Sequence, residues 1–228
     1  MPGDGLFIVI EGTDASGKET QAQRLVDRLR DAGHDVQYAE HPAYDTEFGE
    51  LVAQYLPGEY GDKDDIPVEL RALLYSLDRY QFKHKYQDFL ESGGILISNR
   101  YSQSNFAYQS AEAHPEEQDR LVDWMKAVDS RLPQPDHVFF LNLPITIARE
   151  FMEEKGEREY LDGENKDIHE KDVDFQQQVA QRYLDLAEQE HWTVIDCHDD
   201  GRVRKIGEIE EELYGHVEKL LQKRNMAD

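Results

Sequence analysis

The chain has 228 residues, a length that suits one α/β domain with a sizeable core. Its 49 acidic and 25 basic residues leave a formal charge of -24, which repels nucleic acid and anionic membranes and excludes both as expected partners. The acids are scattered rather than gathered in a tail, and lysines are fewer than arginines, so the surface reads as halophilic, adapted to salt that screens self-repulsion.

The first apolar run, Leu6 to Ile10, is far too short to span a bilayer and has no basic leader, so a cytoplasmic protein is expected. It leads into Gly12-Thr13-Asp14-Ala15-Ser16-Gly17-Lys18-Glu19-Thr20 and then a helical pattern. Strand, glycine-punctuated loop, lysine and helix, in that order, describe a phosphate-binding loop. The glycines at its first and sixth positions allow a tight turn, backbone amides and the helix N-terminus converge on a polyphosphate, and Lys18 adds a mobile cation. The hydroxyl that usually follows the lysine is displaced to Thr20 by Glu19.

Five β-rich segments, Leu6–Glu11, Asp35–Glu40, Gly94–Asn99, His137–Asn142 and Trp192–Asp196, alternate with helical patterns, which predicts a parallel sheet covered on both faces. The first crossover helix, Thr20–Ala32, carries Ala22, Leu25, Val26 and Leu29 on one face. From His41 to Asp65, prolines and glycines punctuate a binding-side excursion around a short helix, Glu47–Tyr55. A single helix is expected over Val68–Glu91, with Leu70, Leu73, Leu74, Leu77 and Gln81 as its core stripe. Tyr75, Arg79, Phe82 and Tyr86 form an adjacent stripe, which on base rates alone is a packed ring beside a solvated charge.

The polar run Ser98 to Gln109 follows the third strand, at the sheet edge where ligands of open α/β sheets bind. Helices are expected at Leu121–Ala127, Ile145–Glu154, Phe175–Glu190 and Arg202–Lys223. The charged stretch from Lys155 to Val173 has the composition of a mobile lid, placed at about 149–173. One domain is expected over residues 1–228. Cys197 is the single cysteine; it excludes an internal disulfide and reads as a buried structural thiol.

Three blocks together resemble the thymidylate kinases: Glu11-Gly12-Thr13-Asp14-Ala15-Ser16-Gly17-Lys18, Leu73-Leu74-Tyr75-Ser76-Leu77-Asp78-Arg79-Tyr80, and Asn99-Arg100-Tyr101 with Ser104 and Ala107-Tyr108-Gln109. The resemblance covers nearly the whole chain. It implies a P-loop NTPase-type three-layer fold with a five-stranded parallel sheet, transfer of the γ-phosphoryl of ATP to deoxythymidine monophosphate (dTMP), a magnesium cofactor and a homodimer. By that resemblance residues 12–20 and Arg149 bind ATP, with Arg149 packing on adenine. Tyr75 stacks on thymine, Arg79 bonds the base, Arg100 holds the acceptor phosphate, Asp14 meets the sugar 3′-hydroxyl or orients the acceptor side of the site, and Ser104, Tyr108 and Gln109 line base and sugar. Catalysis falls to Lys18, Arg100 and a lid cation, Arg158 or else Lys155, because Ala15 occupies the loop position that can hold the arginine.

Three departures stand out. Pro42-Ala43-Tyr44 lacks an arginine that many members have after the second strand, Asn99 replaces the usual aspartate of an Asp-Arg-Tyr triplet, and Glu19 replaces a metal-ligating hydroxyl. Glu19, with Thr20, is therefore the expected metal contact. Alternative readings are another nucleoside monophosphate or deoxynucleoside kinase, or a nucleotide-binding regulator without catalysis.

Overall fold

A computed structural model of the chain describes residues 5–62, 65–149 and 173–225. Nothing in the described residues forms a helix long and apolar enough to cross a membrane. The elements in order are β1 (Leu6–Gly12), α1 (Lys18–Asp31), β2 (Val36–Glu40), α2 (Glu47–Tyr55), α3 (Val68–Tyr80), α4 (Lys83–Glu91), β3 (Ile95–Asn99), α5 (Ser102–Ala111) and α6 (Gln118–Asp129). They continue with β4 (His137–Asn142), α7 (Val173–Gln189), β5 (Thr193–Asp196), the two-residue strands β6 (His198–Asp199) and β7 (Arg202–Val203), and α8 (Ile206–Asn225).

The main sheet is wholly parallel with strand order β2-β3-β1-β4-β5. Side chains alternate across a strand, so central β1 feeds both layers. Leu6, Ile8 and Ile10 join Ala22, Leu25 and Leu29 of α1 and Ile209, Leu213 and Val217 of α8 on one face. Phe7 and Val9 meet Leu96, Val138, Tyr101 and Tyr86 on the other. Leu25 is fully buried on the α1 side, and its truncation to alanine should cost ~2–5 kcal/mol. Helices on both faces of the five parallel strands give the three-layer α/β fold expected of the sequence.

The strand order reverses between β3–β2 on one side of β1 and β4–β5 on the other, which puts the loop after β1 at the switch point. Gly12 is required at that turn, because a Cβ there would stand 2.3 Å from Ser16 Oγ and 3.2 Å from the Leu141 carbonyl. Gly17, with φ of 82°, takes the left-handed conformation that starts α1.

Two helical expectations are corrected. The span Val68–Glu91 is two helices, broken between Tyr80 and Lys83. Its predicted core stripe faces outward: Leu70, Leu73 and Leu77 are 51%, 37% and 41% exposed, whereas Arg71, Ala72, Ser76, Asp78 and Arg79 are buried. Periodicity locates a stripe but not the side that the fold covers; here polar groups turn inward because they meet charged partners at the end of α5 and on α6. The closing helix begins at Ile206 rather than Arg202, since Arg202–Val203 pairs antiparallel with His198–Asp199. Residues 145–149 are helical, as expected; residues 150–172, on which the rest of that expected helix and nearly all of the expected lid at about 149–173 fall, Lys155 and Arg158 included, lie outside the described residues.

Candidate active site

A cavity of about 400 Å³ opens at the C-terminal edge of the sheet. The phosphate loop and the start of α1 contribute Asp14, Ala15, Gly17, Lys18, Glu19 and Thr20; α3 contributes Tyr75, Asp78 and Arg79. The end of β3 and α5 add Asn99, Arg100, Ser104, Asn105, Tyr108 and Gln109. The three separated sequence blocks therefore meet in one place. Thr13 and Ser16 are buried beneath the loop with Gly12, outside the lining, and Arg149 is exposed and also outside it.

Arg100 occupies the centre of the charge network. Its φ is 63°, a left-handed backbone that is strained for a side-chain-bearing residue, and its amide donates to the Ile10 carbonyl at 3.0 Å. This turn sends the guanidinium over the cavity, where Nη2 reaches Asp14 Oδ1 at 2.5 Å and Nη1 reaches Ser104 Oγ at 3.1 Å. Burial opposes the arginine's charge, but the surrounding Tyr108, Asp14, Tyr183 and Glu11 outweigh it and hold its pKa well above the ordinary value. Asp14 is also 3.8 Å from Lys18 Nζ and accepts from Tyr108 at 3.3 Å and Gln176 at 3.4 Å. One carboxylate thus stands between two cations.

Lys18 folds back to donate to the Thr13 carbonyl at 3.1 Å. Burial, and then the neighbouring Arg100 charge, lower its pKa to about 8. A polyphosphate placed beside it would favour the charged form and reverse that shift.

Glu11 underlies the network without facing the cavity. It is fully buried, accepts from the Tyr101 and Ser104 amides at 2.9 and 3.0 Å, and takes hydroxyl bonds from Ser104 at 2.6 Å and Tyr183 at 2.9 Å. Its carboxylate therefore caps α5 from another element, positioning Arg100 and Ser104. Burial raises its pKa, with Arg100 and these hydrogen bonds opposing the rise. Glu11 was visible in the loop motif, but nothing local assigns it this role; Tyr183, in the middle of α7, carried no signal at all.

On the α3 side, Tyr75 meets Tyr55 edge-on with ring centroids 6.5 Å apart and lines the cavity. Arg79 is less exposed than a solvated charge on an open helix face: Nη2 is held by Asp129 at 2.6 Å and Ser76 at 3.3 Å, while Nε has no protein partner. Below them lies a cluster that the motifs did not announce. His41 Nδ1 and Asp78 Oδ2 are 2.6 Å apart, Tyr86 Oη is 3.2 Å from His41 Nε2, and Asp78 Oδ1 accepts from the Ala43 amide and Gln81 Nε2, both at 3.1 Å. The cluster ties the Pro42-Ala43-Tyr44 segment to α3. Burial lowers the His41 pKa, with Asp78 opposing, so the ring stays neutral and donates to the carboxylate.

A family profile described as Thymidylate kinase matches residues 10–205. The thymidylate kinase of Plasmodium falciparum is 30% identical over 216 residues, covering 95% of this chain and 91% of that one. A probable thymidylate kinase of Pyrococcus abyssi is 33% identical over 186 residues, covering 81% and 83%. Among solved structures, the thymidylate kinase of Candida albicans superimposes with a TM-score of 0.72 at 24% identity, covering 95% of this chain and 92% of that one. A profile match that spans the loop, the α3 helix and the end of β3, with relatives 30% and 33% identical over most of both chains, establishes that this chain belongs to the thymidylate kinase family.

Proposed function

We propose that the protein transfers the γ-phosphoryl of ATP to dTMP, giving deoxythymidine diphosphate (dTDP) and ADP for synthesis of the triphosphate. The observation that carries this reading is the pair of cations in one cavity, Lys18 and Arg100, at 3.8 and 2.5 Å from the same Asp14 carboxylate. Two phosphate-bearing ligands would each displace part of that internal pairing, and their phosphates would then adjoin.

Phosphoryl transfer leaves a protein little covalent work, so positioning and charge stabilisation dominate. Loop amides, the α1 N-terminus and Lys18 hold the donor phosphates. Arg100, held over the cavity by Ser104 and the capped α5, binds the acceptor phosphate. Asp14, released from Arg100, accepts from the sugar 3′-hydroxyl; Tyr75 stacks on the base; Arg79 offers its remaining donor to the base; and Tyr108 and Gln109 close the other wall. Arg149 packs on adenine, and Arg158 or Lys155 covers the transferring group.

The donor set fits a magnesium ion, because Glu19, Thr20, Glu40 and Asp14 bring oxygen atoms to the cavity. Among the described residues no group of three or more metal-binding side chains forms a cage of its own. This suits an ion completed by phosphate oxygens and water, with Glu19 and Thr20 as its protein contacts on the loop side. Bound there, the ion would supply positive charge to neutralise charge developing on the phosphate oxygens.

A homodimer belongs to the same reading. The exposed Leu70, Leu73 and Leu77 form an apolar row on α3, the kind of patch that a second copy covers. Leu73→Glu with Leu77→Glu should halve the mass seen by light scattering, and an unchanged mass would remove this face from the interface. Cytoplasmic residence and a salt requirement complete the proposal. The test of function is ADP release coupled to dTMP in magnesium and molar potassium chloride: dTMP should stimulate release strongly and thymidine should not.

A further inference from the structure

Asn99 ends β3 in register with Glu40, the last residue of β2. Its Nδ2 donates to Glu40 Oε1 at 3.0 Å, while Tyr38 Oη donates to Glu40 Oε2 at 3.3 Å. Both oxygens of one carboxylate are thereby fixed by neutral donors, and Glu40 itself stays exposed at the cavity wall. Asn99 is 4% exposed, lines the same cavity, and its Oδ1 has no protein partner. Glu19 and Thr20, at the start of α1, line the same cavity as this pair. An aspartate at position 99 would set two carboxylates about 3 Å apart, a like-charge contact that the neutral amide avoids.

We propose that Glu40, clamped by Asn99 and Tyr38, is the carboxylate that anchors the divalent cation accompanying the donor nucleotide. The negative charge stands on β2 here, one strand removed from position 99, and the amide at 99 holds it instead of carrying it. A fixed carboxylate on the strand side, with Glu19 and Thr20 on the helix side, supplies the one or two protein oxygens that a magnesium ion takes when phosphates and water fill its remaining positions. The orphaned Asn99 Oδ1 accepts from a water on that ion. This placement rests on the kinase reading and sharpens it, since the loop hydroxyl and the strand aspartate are both replaced.

The test is direct binding of Mn²⁺, a spectroscopic stand-in for magnesium, to the full-length protein with and without ADP, counted from the electron paramagnetic resonance signal of the free ion. Glu40→Gln should weaken Mn²⁺ in the ADP complex tenfold or more while leaving metal-free ADP binding nearly unchanged. Asn99→Asp alone should lower the thermal midpoint. The pair Glu40→Gln with Asn99→Asp should restore both metal affinity and stability, because one carboxylate again faces one amide. Glu40→Asp, which keeps the charge but shortens the reach, should fall between wild type and Glu40→Gln. An unchanged Mn²⁺ affinity in Glu40→Gln, or a loss confined to Glu19→Gln, overturns the proposal. Calorimetric binding of dTMP without metal separates the two levels: if dTMP binds while Glu40→Gln leaves Mn²⁺ untouched, the cation anchor fails and the kinase reading stands.

Discussion

Replacing Arg100 by alanine tests the acceptor side of the site more sharply than any other single change. The guanidinium makes charge-assisted bonds at 2.5 Å to Asp14 and 3.1 Å to Ser104, and burial by the surrounding side chains leaves it poorly replaced by water. Exchanging the Asp14 contact for a phosphate keeps a charge-assisted bond, worth ~1.5–3 kcal/mol. Arg100→Ala should therefore raise KM for dTMP about tenfold to about 150-fold, while KM for ATP changes little. Initial rates with each substrate varied against saturating partner read the two constants. The variant also removes the Arg100 charge that favours the fully buried Glu11 carboxylate, so stability falls as well. Adding Glu11→Gln removes the stranded charge and should recover most of the thermal midpoint without recovering dTMP affinity. If both Michaelis constants rose together in the stabilised double variant, Arg100 would be a structural residue and the acceptor assignment would be wrong.

Three further outcomes are expected. Lys18 is held at a pKa of about 8 without ligand, and a polyphosphate favours its charged form, so ATP binding near pH 8 should take up about half a proton; calorimetry in buffers of differing ionisation enthalpy measures it, and zero uptake would contradict the assignment. His41 is buried with a lowered pKa, so folding binds it neutral; its stability contribution is complete above about pH 6.5 and is lost as pH falls below that value, when the unfolded ring takes a proton that the native ring refuses. His41→Phe should flatten the difference in denaturant midpoint between pH 7 and pH 5.5, and an unaltered slope would refute the neutral state. Arg158→Ala should lower kcat by ~10²–10³-fold with both KM values nearly unchanged, and a loss below tenfold would move the role to Lys155.

The parts of the fold visible in the sequence were those with a local cause. Alternating apolar segments marked all five parallel strands to within a residue or so, and the glycine spacing around Lys18 marked the loop, because each depends on neighbours along the chain. What failed depended on the far side of the molecule. The leucines of α3 have helical spacing whether they are covered or not, and only the inward pull of the Arg71–Glu112 and Arg79–Asp129 pairs shows which stripe is inside. Glu11, Tyr183, Glu40 and the His41–Asp78 pair were illegible for the same reason. Their partners are between 37 and 172 residues away for His41–Asp78 and Glu11–Tyr183, and their roles arise only when the strand ends are side by side. Tyr75, Arg79, Arg100, Ser104, Tyr108 and Gln109, named by the resemblance, all line one cavity, yet the motifs carry no information on the residues that hold them in place.

The central claim is that a phosphoryl group passes directly from a donor at Lys18 to a monophosphate at Arg100. The most direct measurement follows label from γ-³²P-ATP in magnesium and molar salt, with dTMP, thymidine or water as the only acceptor. Label is expected in dTDP, with none in a thymidine product and little free phosphate. Label appearing mainly as inorganic phosphate, or transferred to thymidine as readily as to dTMP, would contradict it.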